Sequence, residues 1–189
     1  MRNHTLSRDK LTLGANLSSG TFGGQTYNNY VSRWYFNLDP NLDPEQLDFS
    51  VSALYPKTAP LPTKISHNPT QPNDYKADGD GKFDIEFLFP TSNNVDRFDG
   101  DESITYLITY DGTGDMWASS FYFLSETGGG EGIWYTAAHI QDLNDGDTCK
   151  CKNGGGSTWI GSPVPVPSTM LLLGSGLVGL VGFRRKFGS

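Results

Sequence analysis

The residues best suited to chemistry lie in one run, Asp78-Gly79-Asp80-Gly81-Lys82-Phe83-Asp84. The Asp-x-Asp-Gly-x-x-Asp spacing recurs in calcium loops, because a hard cation needs several oxygens and glycine allows the tight turn between them. In EF-hand register Asp78, Asp80 and Asp84 take the third, fifth and ninth loop positions. Lys76 then falls at the first position and Phe87 at the last, where carboxylates belong, so the run is not an EF-hand. An irregular structural calcium site would recruit Asp74 or an acid from the group Asp96, Asp99, Asp101 and Glu102. The same run also suits a plain Asp-Gly turn feeding a strand, its acids serving solubility. No other cofactor is called for.

Four tryptophans form a second set. Trp34, Trp117 and Trp134 fall within strand-like segments, and Trp159 lies in a Gly-rich stretch. Exposed on a sheet they would stack sugar rings; turned inward they would be core. Cys149 and Cys151 have no nearby Cys or His to complete a zinc set, and a disulfide across one residue is strained. Catalysis is weakly signalled. Asp84 and Glu86 share the polar side of one strand, as glycosidase carboxylates do, but any polar strand face looks the same. His139 sits in a strand pattern that suits a structural, cross-strand role. There is no nucleophile elbow, phosphate loop or dinucleotide fingerprint. The expectation is a protein that is not an enzyme.

The elements that must position these residues are strands. Lys82–Phe89 alternates with Phe83, Ile85, Phe87 and Phe89 on one side and Asp84 and Glu86 on the other. Ser103–Tyr110 places Ile104, Tyr106, Ile108 and Tyr110 together. Val31–Leu38 aligns Trp34, Phe36 and Leu38. Asp48–Leu54 alternates less cleanly. Trp117–Leu124 and Ile133–Ile140 follow the same habit, and a weaker strand is expected at Leu11–Leu17. Asp-Gly pairs separate these runs at 78–79, 80–81, 99–100, 111–112 and 145–146. Glycine accepts positive φ there and aspartate bonds nearby amides. No helical period extends over the first 141 residues. The fold class expected is all-β: an antiparallel, jelly-roll-like β-sandwich over 1–141. Residues 142–162 read as a flexible Gly-rich linker, and 163–189 as a segment of different character.

Length and charge agree with this division. The chain has 189 residues, 36% of them hydrophobic and 13% aromatic, enough for one core. Gly (23) and Pro (11) favour turn-rich structure. The net charge is −7. Three of the fourteen cations are Arg184, Arg185 and Lys186, and no acid follows Asp147, so residues 1–162 carry −10. Such a body is a poor nucleic-acid partner.

From Pro163 the chain reads PVPVPSTMLLLGSGLVGLVGFRRKFGS. Alternate prolines favour an extended approach, and Ser168 and Thr169 suit a helix start. A membrane helix is expected over about 169–183. Sixteen residues from Ser168 to Phe183 span only about 24 Å as a helix, short of a ~30 Å hydrocarbon core. Snorkelling by Arg184, Arg185 and Lys186 and local thinning would close the gap. The cations mark the cytoplasmic end and leave the acidic body outside. A buried core helix is the competing reading, but it does not call for a terminal cation cluster.

Residues 164–187 resemble a PEP-CTERM sorting signal, also described as the ice-binding protein C-terminal domain. The resemblance rests on Val164-Pro165-Val166-Pro167-Ser168-Thr169, the apolar run and Arg184-Arg185-Lys186 in that order. Val166 stands where the family usually has Glu. The resemblance implies a bacterial exported protein, cut near Pro-x-Pro by an exosortase-type enzyme, anchored in the inner membrane before processing and then delivered to the cell surface or exopolysaccharide matrix. It implies nothing about an ice-binding activity. The body is also similar to an uncharacterised ectodomain found ahead of such signals, through Trp34–Pro40, Lys76–Ile85, Arg97–Gly100 and Tyr135–His139, which adds no chemistry. An exported chain needs an N-terminal signal peptide, and Met1–Leu13 has no apolar core for one. A start assigned downstream of the true one fits better than a decayed gene or an unusual anchor, because Leu11–Gly24 already reads as mature β sequence. The function expected is a non-enzymatic surface or matrix protein. A carbohydrate-binding module is the first alternative, and an extracellular polysaccharide hydrolase using Asp84 and Glu86 the second.

Overall fold

A computed structural model describes residues 7–17, 20–22, 25–67, 75–77, 81–92, 96–129, 132–143 and 156–162. Twelve strands are described: β1 (Ser7–Ala15), β2 (Gly20–Phe22), β3 (Gln25–Tyr27), β4 (Tyr30–Phe36), β5 (Leu47–Tyr55), β6 (Lys64–His67), β7 (Tyr75–Lys76), β8 (Lys82–Phe83), β9 (Ile85–Leu88), β10 (Glu102–Tyr110), β11 (Thr136–Leu143) and β12 (Gly156–Gly161). All pairings among them are antiparallel. One sheet runs β1-β10-β5 and the other β12-β11-β4-β9-β6, with two small hairpins, β2-β3 and β7-β8. The two large sheets face each other as a β-sandwich, as expected, with three strands against five.

The main core lies between them. From the smaller sheet come Leu13, Leu47, Ile104, Tyr106 and Ile108; from the larger come Val31, Phe36, Ile85, Phe87 and Ile140. Phe87 bridges the layers, its ring 5.3 Å from Phe49 and 5.5 Å from Tyr106. β10 follows the expected alternation, its even positions from Ile104 to Tyr110 all buried. β5 alternates poorly for a structural reason. A register shift against Thr105/Tyr106 passes over Ser52. The extra residue moves the inward side from Leu47 and Phe49 to Leu54.

The run Lys82–Phe89 is not one strand. Ile85, Phe87 and Phe89 enter the main core, but Phe83 joins a second cluster with Tyr35, Ala77 and Ala137 on the outer face of the five-stranded sheet. Asp84 breaks the ladder. Its N–H donates to the Phe36 carbonyl (3.1 Å), and its buried carboxylate accepts the Leu38 amide (3.0 Å). The chain turns at that point, and the β7-β8 hairpin folds over the outer face.

Three further expectations are corrected. Trp117–Leu124 is not a strand. Ala118–Phe121 form a 3-10 turn, with the Ser120 hydroxyl accepting the Trp117 amide (3.1 Å). Local side-chain to backbone bonding of this kind competes with a ladder. Ile133–Ile140 is strand only from Thr136, and it continues to Leu143. Gly156–Gly161, read from sequence as linker, form β12 and pair with β11, placing Trp159 opposite His139. Three side chains, Thr158, Trp159 and Ile160, are enough for an edge strand because β11 already presents the ladder.

Candidate functional site on the outer sheet face

The outer face of the five-stranded sheet carries a groove of about 700 Å³, lined by Ser32, Arg33, Thr63, His139, Gln141 and Trp159 among others. That volume falls in the roughly 300–1,000 Å³ typical of ligand sites. Strands far apart in sequence supply it. β4 brings Ser32 and Arg33, β11 brings His139 and Gln141, and β12 brings Trp159.

A bulge makes the arrangement possible. Between His139 and Ile140 the register with β4 skips Ser32. Val31, Trp34 and Phe36 can then all meet the main core, while Tyr35 turns outward. Ser32 lies buried beside His139, its Oγ 2.8 Å from Nδ1 and 3.3 Å from the His139 carbonyl. A serine so placed orients the imidazole. The His139 ring stacks on Trp159 at 4.7 Å, and Trp159 packs on Tyr35 at 5.0 Å. The three rings form a short aromatic column.

Beside the column, Arg33 Nη1 donates to the Tyr35 hydroxyl (3.2 Å), which donates to Glu86 Oε1 (3.3 Å). The guanidinium also lies 3.5 Å from Glu86 and is 48% exposed. The bond to Tyr35 is the main reason its pKa rises above the ordinary value. Burial raises the Tyr35 phenol, and the bond from Arg33 partly offsets that. The result is a concave surface with one half-exposed cation, an oriented imidazole and an amide. Gln141 is held at the rim by the Tyr30 hydroxyl (2.6 Å).

The groove lies on the sheet whose last described strand, β12, ends at Gly161. Residues 163–186, directly after it, match the family model described as the PEP-CTERM protein-sorting motif. The chain carries a PEP-CTERM sorting signal. The motif indicates an exported protein processed by an exosortase-type enzyme. No curated protein and no solved structure matches the chain.

The PEP-CTERM residues singled out from sequence, Val164–Thr169 and Arg184–Lys186, lie outside the described residues, as does the membrane helix expected at 169–183. Among the described residues no helix is long and apolar enough to cross a membrane. Asp78, Asp80, Cys149 and Cys151 also lie outside them. Asp84 is buried on a backbone amide, and no group of three His, Cys, Asp or Glu among the described residues is arranged to hold a metal. Asp84 and Glu86 have different partners: Asp84 accepts the Leu38 amide beyond β4, and Glu86 lies against Arg33 and Tyr35.

The tryptophans separate by face. Trp34 packs against the main core and donates to Thr136 Oγ1 (2.9 Å). Trp134 packs into the second cluster, so close to Gly132 and Gly161 that neither has room for a Cβ. Trp159 is stacked in the column. Trp117 is 65% exposed. Sequence reasoning missed Ser32 and Arg33 altogether. It placed Trp159 in a linker, though the Thr158-Trp159-Ile160 triplet was a short strand signal.

Proposed function

We propose that this protein is a non-enzymatic component of the bacterial surface or extracellular matrix, with the β-sandwich as the delivered part and the PEP-CTERM segment as its address. One observation carries the reading: the sorting motif begins two residues after Gly161, so the address is joined directly to an edge strand of the sandwich. Processing near Pro165 or Pro167 would leave that sheet whole. The test is a fusion of residues 163–189 to a secreted reporter in an exosortase-bearing host. Processing and surface retention are expected; equal release of the reporter with and without the segment refutes the assignment. Sugar release from a polysaccharide panel would instead revive the hydrolase.

The groove favours a second reading, polysaccharide binding. Its Arg33, His139 and Gln141 supply directional hydrogen bonds beside an aromatic column, a combination that suits sugar hydroxyls. Retention on immobilised polysaccharide that survives Trp117→Ala but is lost with Arg33→Ala would support the groove as the binding site. Equal retention of all three proteins would not.

A further inference from the structure

The excursion between β10 and β11 holds half of the large apolar side chains that are exposed among the described residues. Trp117 is 65% exposed and Tyr122 68%, with Leu124 and Ile133 also exposed. Tyr122 meets Tyr135 edge-on at 5.9 Å. These side chains are not on a loose loop. Asn37, buried just past the end of β4, donates from Nδ2 to the carbonyls of both Phe123 and Trp134 (3.2 Å each). The Asp39 amide donates to the Ser120 carbonyl (2.7 Å). Ser125 and Trp134 exchange two bonds, Ser125 N–H to the Trp134 carbonyl (2.8 Å) and Trp134 N–H to Ser125 Oγ (3.1 Å). Buried polar groups thus fix an exposed aromatic surface in place, and such a surface on a soluble body marks something it rests against.

Its position says what. The Ser162 amide donates to the Thr136 carbonyl (3.0 Å), so the chain leaves the sandwich beside Tyr135, at the same end as the aromatic excursion. Seven residues separate Ser162 from the apolar run at Met170. Even fully extended they reach at most about 25 Å. A bilayer holding that run therefore lies close to this end of the body. Trp and Tyr are the side chains that prefer the headgroup level, with an apolar ring and a polar edge. Asp115 and Glu126 lie within the excursion, so attraction to anionic lipid does not account for the surface; burial of rings does.

We infer that Trp117, Tyr122, Leu124, Ile133 and Tyr135 form a face that lies against the bilayer interface while the sorting segment is still attached. The inference rests on the export-and-sorting reading above, and it assigns this end of the sandwich a place at the membrane before processing. Cleavage would free the face along with the protein.

The full chain reconstituted into phosphatidylcholine vesicles with and without brominated acyl chains tests it. Trp34, Trp134 and Trp159 are packed within the body, so Trp117 reports contact with lipid. Quenching should be roughly twofold greater for the wild type than for Trp117→Phe. It should fall in Tyr122→Ser, and it should not weaken as salt rises. A chain that floats with the vesicles but shows equal quenching with and without Trp117 overturns this inference alone. A chain that stays in the soluble fraction overturns both it and the membrane stage of sorting. Protection of Trp117 from acrylamide by soluble galactomannan, without lipid quenching, assigns the face to polysaccharide and also overturns it.

Discussion

Replacing Tyr106 by phenylalanine should stabilise the protein. Tyr106 sits in the middle of β10, 1% exposed, with its ring against Phe87 and Phe49. Its hydroxyl is buried without a hydrogen-bond partner among the described residues. A buried polar group left unpaired costs about 1–3 kcal/mol. Removing it leaves a void of about one atom, which returns part of the gain, so a net stabilisation of about 1 kcal/mol is expected. With a urea m-value of about 2 kcal/mol/M, the midpoint should rise by about 0.5 M. The same burial pushes the phenol up to about 12. In the unfolded chain it titrates near ~10. The folded value is raised, so the neutral form is the one folding favours. That contribution is complete below the unfolded pKa and is lost as pH rises through the folded one. Over that window the wild type should lose about 3 kcal/mol at this site, and the Phe variant should not. Urea melts at neutral pH and at pH steps through the alkaline range measure both effects. A Tyr106→Phe variant destabilised by about 1 kcal/mol or more would show that the hydroxyl has a partner, such as a buried water, and would refute the reasoning.

Asn37→Ala should cost about 2 kcal/mol, because it strips the Phe123 and Trp134 carbonyls of their shared donor; faster amide exchange across 116–135 than elsewhere would check it. Gly100→Ala should lower the melting temperature by several degrees, since a Cβ there presses into the Leu17 carbonyl and backbone must move; an unchanged melt would show that the 99–101 turn shifts freely. Burial raises the carboxyl pKa of both Asp99 and Glu102, and Asp96 adds repulsion to each. For such acids the protonated form is favoured on folding, so the contribution falls as pH rises through their folded values. Asp96→Asn should bring both midpoints down in an NMR titration, while midpoints that stay put would show that burial alone sets them.

Much of the fold was legible along the chain. β10 reads directly as Ile104-x-Tyr106-x-Ile108-x-Tyr110, because one face is buried and the other is not, and the pleat converts that difference into a period of two. The same rule misplaced Phe83. Its parity matches Ile85 and Phe87, but the break at Asp84 sends it to the opposite side of the sheet, and a parity count has no access to a carboxylate that bonds a residue of another strand. Trp117–Leu124 failed for the converse reason. Its pattern suited a strand, but Ser120 closes a local turn in place of a ladder. The groove was less legible still. His139 was readable as a strand residue, but its orientation depends on Ser32, 107 positions away, and its stacking partner Trp159 lies in a segment whose glycines suggested a linker.

By itself the sequence determined the class of the body and the address at its end. Alternation, Asp-Gly turns, an acidic body and the ordered Pro-x-Pro, apolar and basic blocks are properties of the chain read in one dimension, and they survive any rearrangement of strands. Only the tertiary structure decided which tryptophan meets water, where bulges change the inward parity, and that Arg33, His139 and Trp159 share one groove. Those outcomes depend on register between strands. A shift of one residue exchanges the two faces of a sheet, and the strands of the two main sheets pair across long connections, where no tight turn fixes that shift.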